Sequence, residues 1–273
     1  MFDLIVSRGR VADREARMLE GATRTARELE SRYGVRAEYV GTPAPPADDD
    51  WSVSLPQAKD TLDGLRKAMA DSVRNDGLTV MTSNTCSASL ATLPVVARQY
   101  PDAVVLYVDA HGDFNTPETT DTGYLGGMVL AGACGLWDSG HGAGLRPEQA
   151  VLVGTRDIDE KERELVDSAG VRVIPPEEAN GKNVLDAVDG ARVWVHIDWD
   201  VLDPNAPVPA DYKVPGGMMP EQIRDIFESV PPEQLLGIEL AEFNAPTDEE
   251  STEKAVSVII DMVSPALEAT RPS

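Results

Sequence analysis

The stretch AVVLYVDAHGD, residues 103–113, is the most informative segment for predicting the fold of this chain. Its first part, Ala103 to Val108, is an apolar run that is typical of a buried strand. A second stretch, RVWVHIDWD at residues 192–200, has the same form, with an apolar run from Arg192 to Ile197. Near-continuous apolar runs of this kind indicate strands that are covered on both faces of a parallel sheet.

Each of these two runs leads into a cluster of side chains that bind metal ions in proteins. Because side chains at i and i+2 on a strand point to the same face, each cluster can direct several ligands at one point. Carboxylates with an imidazole suit hard or borderline divalent cations such as Mn²⁺. Solvated acidic loop ends are the alternative, but the buried strands that precede both clusters weigh against it. The members are Asp109, His111, Asp113, Asp198 and Asp200.

Short apolar or β-branched runs recur along the chain and alternate with segments of helical periodicity. This alternation predicts βαβ units and a mostly parallel sheet of eight strands with helices on both faces, an α/β fold. No linker or internal repeat is visible, so we expect a single domain over residues 1–273. The predicted strands are 2–6, 36–40, 78–81, 103–108, 150–153, 171–174, 192–197 and 235–240. The predicted helices include 12–33, 57–75, 83–100, 159–168, 220–230 and 252–269.

Polar residues also follow other predicted strands at their carboxyl ends, where open parallel sheets bind ligands. A long proline-rich segment, residues 203–217, follows the second acidic cluster, and loops of this length in compact domains are usually functional. We therefore expect one site along this edge of the sheet. The further polar groups are Thr82 to Cys86, Arg156 to Asp159, Glu239 and Glu242.

The bulk composition limits the classes of partner. With 24 basic and 47 acidic residues, the net charge of −23 argues against binding to nucleic acid or to an anionic membrane. No apolar stretch reaches about 18 residues, and the N-terminal run is too short for a signal peptide. Two cysteines exclude a disulfide framework. We expect a soluble cytoplasmic protein with a small-molecule partner.

The DAHGD cluster, together with the D-x-D-x-x-D-P segment that starts at Asp198, resembles the ureohydrolase (arginase and agmatinase) family. The resemblance runs from the third predicted strand to the last one. It implies a single α/β domain with an eight-stranded parallel sheet. It also implies hydrolysis of a guanidine by a hydroxide shared between two Mn²⁺ ions, because two cations lower the pKa of bound water.

The resemblance further implies a role for individual residues. Asp109 and Asp198 would bridge the two ions, Glu242 would brace the guanidinium, and Asp113 would join Glu242 in catalysis. The complete set of metal ligands would be Cys86, Asp109, His111, Asp113, Asp198 and Asp200. The α-carboxylate and α-amino groups of an amino acid substrate would be held by Asn115, Thr122 and Asp159. For Asp159, capping of the following helix is an equal alternative.

One departure from the family pattern concerns a metal ligand. The family has G-G-D-H-S where this chain has Ser83-Asn84-Thr85-Cys86-Ser87, so Cys86 stands at the position of a histidine. A helix start and a nearby cation both favour the thiolate, which can bind metal. A thiolate also shifts the preference toward softer ions such as Zn²⁺. Alternatively, Cys86 is a small buried apolar side chain.

A second departure concerns the catalytic histidine. The family has G-N-L-H-G where this chain has Gly123-Tyr124-Leu125-Gly126-Gly127, so Gly126 takes the place of the general acid. General acid catalysis contributes typically about 10²–10⁴ in rate, so a plain guanidine with a basic leaving amine should react poorly. An N-hydroxylated guanidine is more electrophilic, and the space at Gly126 could hold its oxygen. This favours the hydrolysis of Nω-hydroxy-L-arginine to hydroxyurea and L-ornithine, and it resembles a branch of the family in D-cycloserine antibiotic biosynthesis.

Other functions stay open at this point. One is hydrolysis of another guanidino compound, as in arginases and agmatinases, and another is a non-catalytic relative that binds metal or an amino acid. Tyr124 and Tyr212 either set specificity or pack at the surface, and His196 is expected to face away from the metals. The family forms trimers or hexamers through an extended C-terminal tail. Because this chain stops soon after its last predicted helix, we expect a monomer.

Overall fold

The computed structural model describes residues 2–75 and 77–269. Eight parallel strands form one sheet in the order β2-β1-β3-β8-β7-β4-β5-β6. The strands are β1 (Phe2–Ser7), β2 (Ala37–Val40), β3 (Leu78–Ser83), β4 (Val104–Val108), β5 (Ala150–Val153), β6 (Arg172–Ile174), β7 (Val193–Asp198) and β8 (Leu235–Ala241). The eight predicted strands are therefore confirmed to within two residues at most ends, and the sheet is wholly rather than mostly parallel.

Helices cover both faces of this sheet, as the alternating pattern predicts. The α-helices are α1 (Arg17–Tyr33), α2 (Trp51–Gln57), α3 (Lys59–Ser72), α4 (Ser89–Gln99), α5 (Val129–Ala133), α6 (Glu160–Ala169), α7 (Gly181–Val188), α8 (Pro220–Ser229) and α9 (Glu249–Ala269). The sequence pattern does not predict the short helices α2 and α7. A capping signal was present for α7, because the Asn180 side chain accepts a hydrogen bond from the Asn183 N–H at 3.0 Å.

Two apolar layers hold the sheet between its helices. One contains side chains of α1, α7, α8 and α9, and the other contains side chains of α3, α4, α5 and α6. Alternation along β7 sends Val195 into the first layer and Trp194 into the second. Trp199 joins the first layer and is 1% exposed, so it lies in the core. Within the described ranges, no helix is long and apolar enough to cross a membrane.

The central strands end at one level, and this positions the site. Strands β3, β8, β7 and β4 lie side by side, with Ser83 and Asp198 both in register with Ala241. On the other side of β7, Ile197 is in register with Val108. Because the strands are parallel, the loops that follow them meet at the same edge of the sheet.

Candidate active site

A cavity of about 260 Å³ lies at this edge of the sheet. Its wall contains every predicted metal ligand and substrate-binding residue except Asp109, which is only 1% exposed and has its Oδ1 3.5 Å from Nδ1 of His111. Of the further polar groups predicted along this edge, Thr82 to Thr85, Arg156 and Glu239 lie outside the wall. The structure therefore brings together residues that are up to 156 positions apart in the chain. The predicted residues in the wall are Cys86, His111, Asp113, Asn115, Thr122, Asp159, Asp198, Asp200 and Glu242.

Hydrogen bonds link the two acidic clusters. The His111 backbone N–H donates to Asp109 Oδ1 at 2.7 Å, and the imidazole Nδ1 lies 2.9 Å from Asp200 Oδ2. Asp200 Oδ1 accepts in turn from the Ala110 N–H at 3.1 Å. The loop after β4 and the turn after β7 thus hold each other in place, with the imidazole between the carboxylates.

Asp113 has a strained backbone, and two buried side chains hold the loop in which it lies. Its φ is +48°, which is uncommon for a residue other than glycine. The Tyr107 hydroxyl donates to Asp113 Oδ2 at 2.6 Å. Glu162 of α6 accepts from the Phe114 N–H at 2.7 Å, and a Cβ on Gly112 would lie 2.7 Å from the same Glu162 oxygen. Gly112 therefore lets the loop approach Glu162 closely.

Cys86 lies between Asp198 and Glu242. Its Sγ–H donates to Asp198 Oδ2 at 3.2 Å, and its backbone N–H donates to Glu242 Oε1 at 2.8 Å. Asp198 Oδ1 accepts from the Asp200 N–H at 2.7 Å. Glu242 follows β8 with a φ of +63°, which turns its carboxylate into the cavity. Cys86 is thus part of the site and not only of the apolar layer beneath it.

The prediction that His196 faces away from the cluster is wrong. His196 is two residues before Asp198 on β7, and this period-two spacing places both side chains on the same face. Its Nε2 lies 3.2 Å from Cys86 Sγ, and its Nδ1 lies 3.0 Å from Glu239 Oε2. His196 therefore lies buried directly under the cluster, in contact with Cys86.

The prediction of free space at Gly126 needs correction. A Cβ built on Gly126 would lie 2.3 Å from Cε1 of Tyr124, so the tyrosine ring fills this position. The Tyr124 hydroxyl donates to Glu242 Oε1 at 3.4 Å. Of the two alternatives for Tyr124, the structure therefore places it in the cavity wall and not at the surface. Tyr212 also lines the cavity, although its side chain is 52% exposed.

The pKa values of the cluster show that its carboxyl groups are not balanced by positive charge. Burial and the neighbouring Asp109 raise the pKa of Asp200 to about 7. Burial and Asp13 raise the pKa of Glu242 to about 8, and burial also raises the pKa values of Asp113 and Asp198. Although burial lowers the pKa of His111, its hydrogen bonds to Asp109 and Asp200 raise it to about 12. Crowded carboxylates shift in this way when no cation balances them.

The donor set fits divalent cations. The buried Asp109 Oδ2 has no hydrogen-bond partner among the described residues, and it is free for a metal. The ligand atoms fall into three groups, each within 4.8 Å: Asp109, His111 and Asp200; Cys86, Asp198 and Glu242; and Cys86, Asp109 and His196. Asp113 lies in the cavity wall beside these groups.

The thiolate expected at Cys86 depends on a nearby cation. Cys86 begins a short 3₁₀ turn, Cys86–Ala88, and not an α-helix. Burial and the charge of Asp198 raise the pKa of its thiol well above the ordinary value. This turn runs directly into α4, but burial and the neighbouring carboxylates favour the protonated thiol in the absence of a cation.

The side chains predicted to hold the amino acid group lie around the mouth of the cavity. Asn115 is buried, whereas Thr122 and Asp159 are exposed. Asp159 occupies the N-cap position of α6, but its side chain makes no capping hydrogen bond. The capping alternative is therefore not supported, and the Asp159 carboxylate faces the cavity.

Some residues around the site are not evident from the sequence, among them Tyr107, Glu162 and Arg14. Tyr107 is two residues before Asp109, so the period of the strand could have placed it beneath the cluster. Glu162 sits on α6 and was not separable from the other acidic residues of that helix. Arg14 lines the cavity with its guanidinium 4.5 Å from the centroid of Tyr124, a contact that no local pattern predicts.

Comparisons with known proteins agree with this geometry. Residues 14–264 match the sequence profile of the "Arginase family". The chain is 71% identical over 269 residues to an N(omega)-hydroxy-L-arginine amidinohydrolase from Streptomyces lavendulae, which covers 98% of both chains. The arginase from Bacillus subtilis strain 168 is 32% identical over 48% of this chain and 49% of its own length.

Solved structures show the same fold. The crystal structure of arginase from Bacillus subtilis superimposes with a TM-score of 0.80 at 23% identity, over 98% of both chains. The arginase from Bacillus caldovelox has a TM-score of 0.81 at 22% identity and covers 100% of this chain and 99% of its own. The eight-stranded parallel sheet thus belongs to a known fold. This chain is a member of the arginase family.

Proposed function

We propose that this protein is a binuclear manganese hydrolase that converts Nω-hydroxy-L-arginine to hydroxyurea and L-ornithine. The observation that carries this proposal is the pairing of an intact acidic cluster with Gly126, where the ring of Tyr124 takes the space of a side chain. Among the described residues of the cavity wall, His111 is the one histidine, and it is held by Asp200. The 71% identical relative carries the name of this activity.

Two Mn²⁺ ions per chain would be held by the acidic clusters and Cys86. In our proposal, the residues that would hold the ions are Asp109, Asp198, Cys86, His111, Asp113 and Asp200. When bound, the ions supply the cations that activate water and polarise the guanidine. The unpartnered Asp109 Oδ2 and the raised pKa values of the carboxyl groups support this placement.

The protein side chains would position the substrate. The Glu242 carboxylate would pair with the guanidine group, because it is buried and opens into the cavity. At the mouth, Asn115, Thr122 and Asp159 would hold the α-carboxylate and α-amino groups. The reaction adds water and breaks the bond between the guanidine carbon and Nδ of the ornithine part, and Nδ gains a proton. The leaving Nδ is the same as in L-arginine, but the N-hydroxyl group makes the guanidine carbon more electrophilic and could relay the proton that Nδ gains, so this step would depend less on a general acid from the protein.

Three further parts of the proposal concern the use of the hydroxyurea product, the oligomeric state and the cell compartment. Hydroxyurea would serve antibiotic biosynthesis, that of D-cycloserine, as in the family branch that the sequence resembles. We propose a monomer, because Val53, Tyr212 and Met219 are the large apolar side chains exposed in the described ranges. Cys86 and Cys134 are both free thiols, which fits a reducing cytoplasm. Light scattering and cell fractionation would test these two statements.

Steady-state turnover tests the function. Mn²⁺-loaded enzyme would be supplied with Nω-hydroxy-L-arginine or L-arginine in parallel, with release of L-ornithine as the common readout. We expect a clear preference for the hydroxylated substrate and none of this activity after removal of the metal by a chelator. Equal turnover of the two substrates would identify an ordinary arginase instead. A variant with Asp198→Asn, which removes a shared carboxylate, is the matched inactive control.

A further inference from the structure

In the cavity wall, the ring of Tyr124 occupies the space that a side chain at residue 126 would need. The Cε1 and Cζ atoms of Tyr124 lie 2.3 and 2.8 Å from the position that a Cβ would take on Gly126. Both distances are shorter than carbon atoms tolerate without a bond between them. Gly126 therefore makes room for the aromatic ring, and the ring takes the position of a side chain at residue 126.

Two more contacts hold this ring in one orientation. The guanidinium of Arg14 lies 4.5 Å from the ring centroid, within the range of a cation–π interaction. At the other end of the side chain, the hydroxyl donates to Glu242 Oε1 at 3.4 Å. The ring is thus fixed between Gly126 and Arg14, and its polar tip faces the carboxylate proposed to bind the guanidine group.

We propose that Tyr124 is a specificity residue that recognises the N-hydroxyl oxygen of the substrate. This inference rests on the proposed function, since it requires the guanidine group to bind at Glu242. A plain guanidinium offers only N–H donors to the phenol oxygen. When the guanidine group pairs with Glu242, the phenol O–H is released from that carboxylate, and an N-hydroxyguanidine adds an oxygen that can accept it. A site that hydrogen-bonds one particular substrate atom discriminates against the analogue that lacks the atom.

Removing the hydroxyl alone tests this role. We would measure kcat/KM for Nω-hydroxy-L-arginine and for L-arginine with the full Mn²⁺-loaded enzyme and with Tyr124→Phe. A hydrogen bond of about 0.5–1.5 kcal/mol predicts a loss of about 2- to 13-fold in the preference for the hydroxylated substrate. The loss should fall on that substrate, with L-arginine little changed. Tyr39→Phe is the control, because Tyr39 lies on β2, away from the cavity. Its hydroxyl donates to Glu30 Oε2 of α1 at 3.0 Å.

Two measurements other than turnover support the test. Calorimetric titration with L-ornithine, which lacks the extra oxygen, should give the same affinity for the wild type and Tyr124→Phe. Gly126→Ala should lower the melting temperature, because its Cβ meets the ring, and it should do so much less in a Tyr124→Ala background. Such coupling between the two substitutions would show that their side chains compete for one space.

The outcomes separate this inference from the proposed function. A reduced preference in Tyr124→Phe, with an unchanged preference in Tyr39→Phe, supports the inference. A wild type that prefers the hydroxylated substrate, together with a Tyr124→Phe variant that keeps the same preference, overturns the inference and leaves the function in place. A wild type without any preference overturns both.

Discussion

His196 and Cys86 are in direct contact beneath the acidic cluster, with Nε2 of His196 3.2 Å from Sγ of Cys86. Nδ1 of the same ring lies 3.0 Å from Glu239 Oε2, and both side chains are fully buried. The ring also stacks on Tyr107, with 4.3 Å between the centroids. Glu239 therefore orients the imidazole, and the imidazole orients the sulfur. Partners of this kind fix the direction of metal ligands.

This relationship predicts that His196 controls metal affinity through its contact with Cys86. We expect His196→Asn to weaken metal binding by about 10- to 100-fold, because Cys86 loses the group that orients it. Titration of the metal-free protein with Co²⁺ would measure the affinity, and the thiolate-to-metal absorption band would report on Cys86. His141→Asn makes the same chemical change in a glycine-rich loop outside the cavity, and its affinity should match the wild type. Equal affinities for all three proteins would contradict the prediction.

Cys86 and His196 should also depend on each other for space. With Nε2 only 3.2 Å from the sulfur, a larger side chain at residue 86 overlaps the imidazole. We expect Cys86→His to destabilise the metal-free protein by about 1–3 kcal/mol through overpacking. Adding His196→Ser should recover much of this loss, and urea unfolding would measure it. If the two changes simply added their costs, the two positions would not be coupled.

Glu242 is predicted to act on the substrate and not on the metal. We expect Glu242→Gln to lower kcat/KM by at least about 30-fold, because a buried charged pair with the guanidine group is lost. The metal content, measured by mass spectrometry, should stay at the wild-type value. Loss of metal in parallel with activity would instead make Glu242 a ligand, as its grouping with Cys86 and Asp198 allows.

The raised pKa of Glu162 predicts that the stability of the protein depends on pH. Burial raises its pKa to about 7 from the ordinary 4.5, so the folded state binds this proton more tightly than the unfolded state does. Between these two pH values the folded state carries more protons, and the free energy of unfolding therefore falls as the pH rises. We expect Glu162→Gln to flatten this fall in the metal-free protein, measured by urea unfolding at about pH 5 and about pH 7. Glu160→Gln changes an exposed carboxyl group on the same helix and should keep the wild-type slope.

The parts of the site that the sequence predicts depend on short-range periodicity. The two acidic clusters follow buried strands, and the carboxyl ends of parallel strands lie at one edge, so their meeting point follows without coordinates. The same period places His196 on the side of Asp198, and the prediction for His196 was wrong because it did not apply this rule. All eight strands were predicted because each is an apolar run bounded by polar residues.

The remaining features depend on contacts between distant parts of the chain. Arg14 reaches the ring of Tyr124 from the loop before α1, and no local pattern links residues 110 positions apart. The space at Gly126 is filled by a side chain only two residues away, but the direction of that side chain follows from Glu242 and Arg14. Short helices such as α7 carry too few turns for a clear period.

The most direct test of the central claim is a competition between the two substrates. An equimolar mixture of Nω-hydroxy-L-arginine and L-arginine would be given to the Mn²⁺-loaded enzyme, and hydroxyurea and urea would be quantified at low conversion. The ratio of the two products equals the ratio of the kcat/KM values. We predict that hydroxyurea exceeds urea by more than about tenfold, because a site without a second histidine in its wall handles the hydroxylated guanidine better. Urea in equal or greater amount would contradict the account.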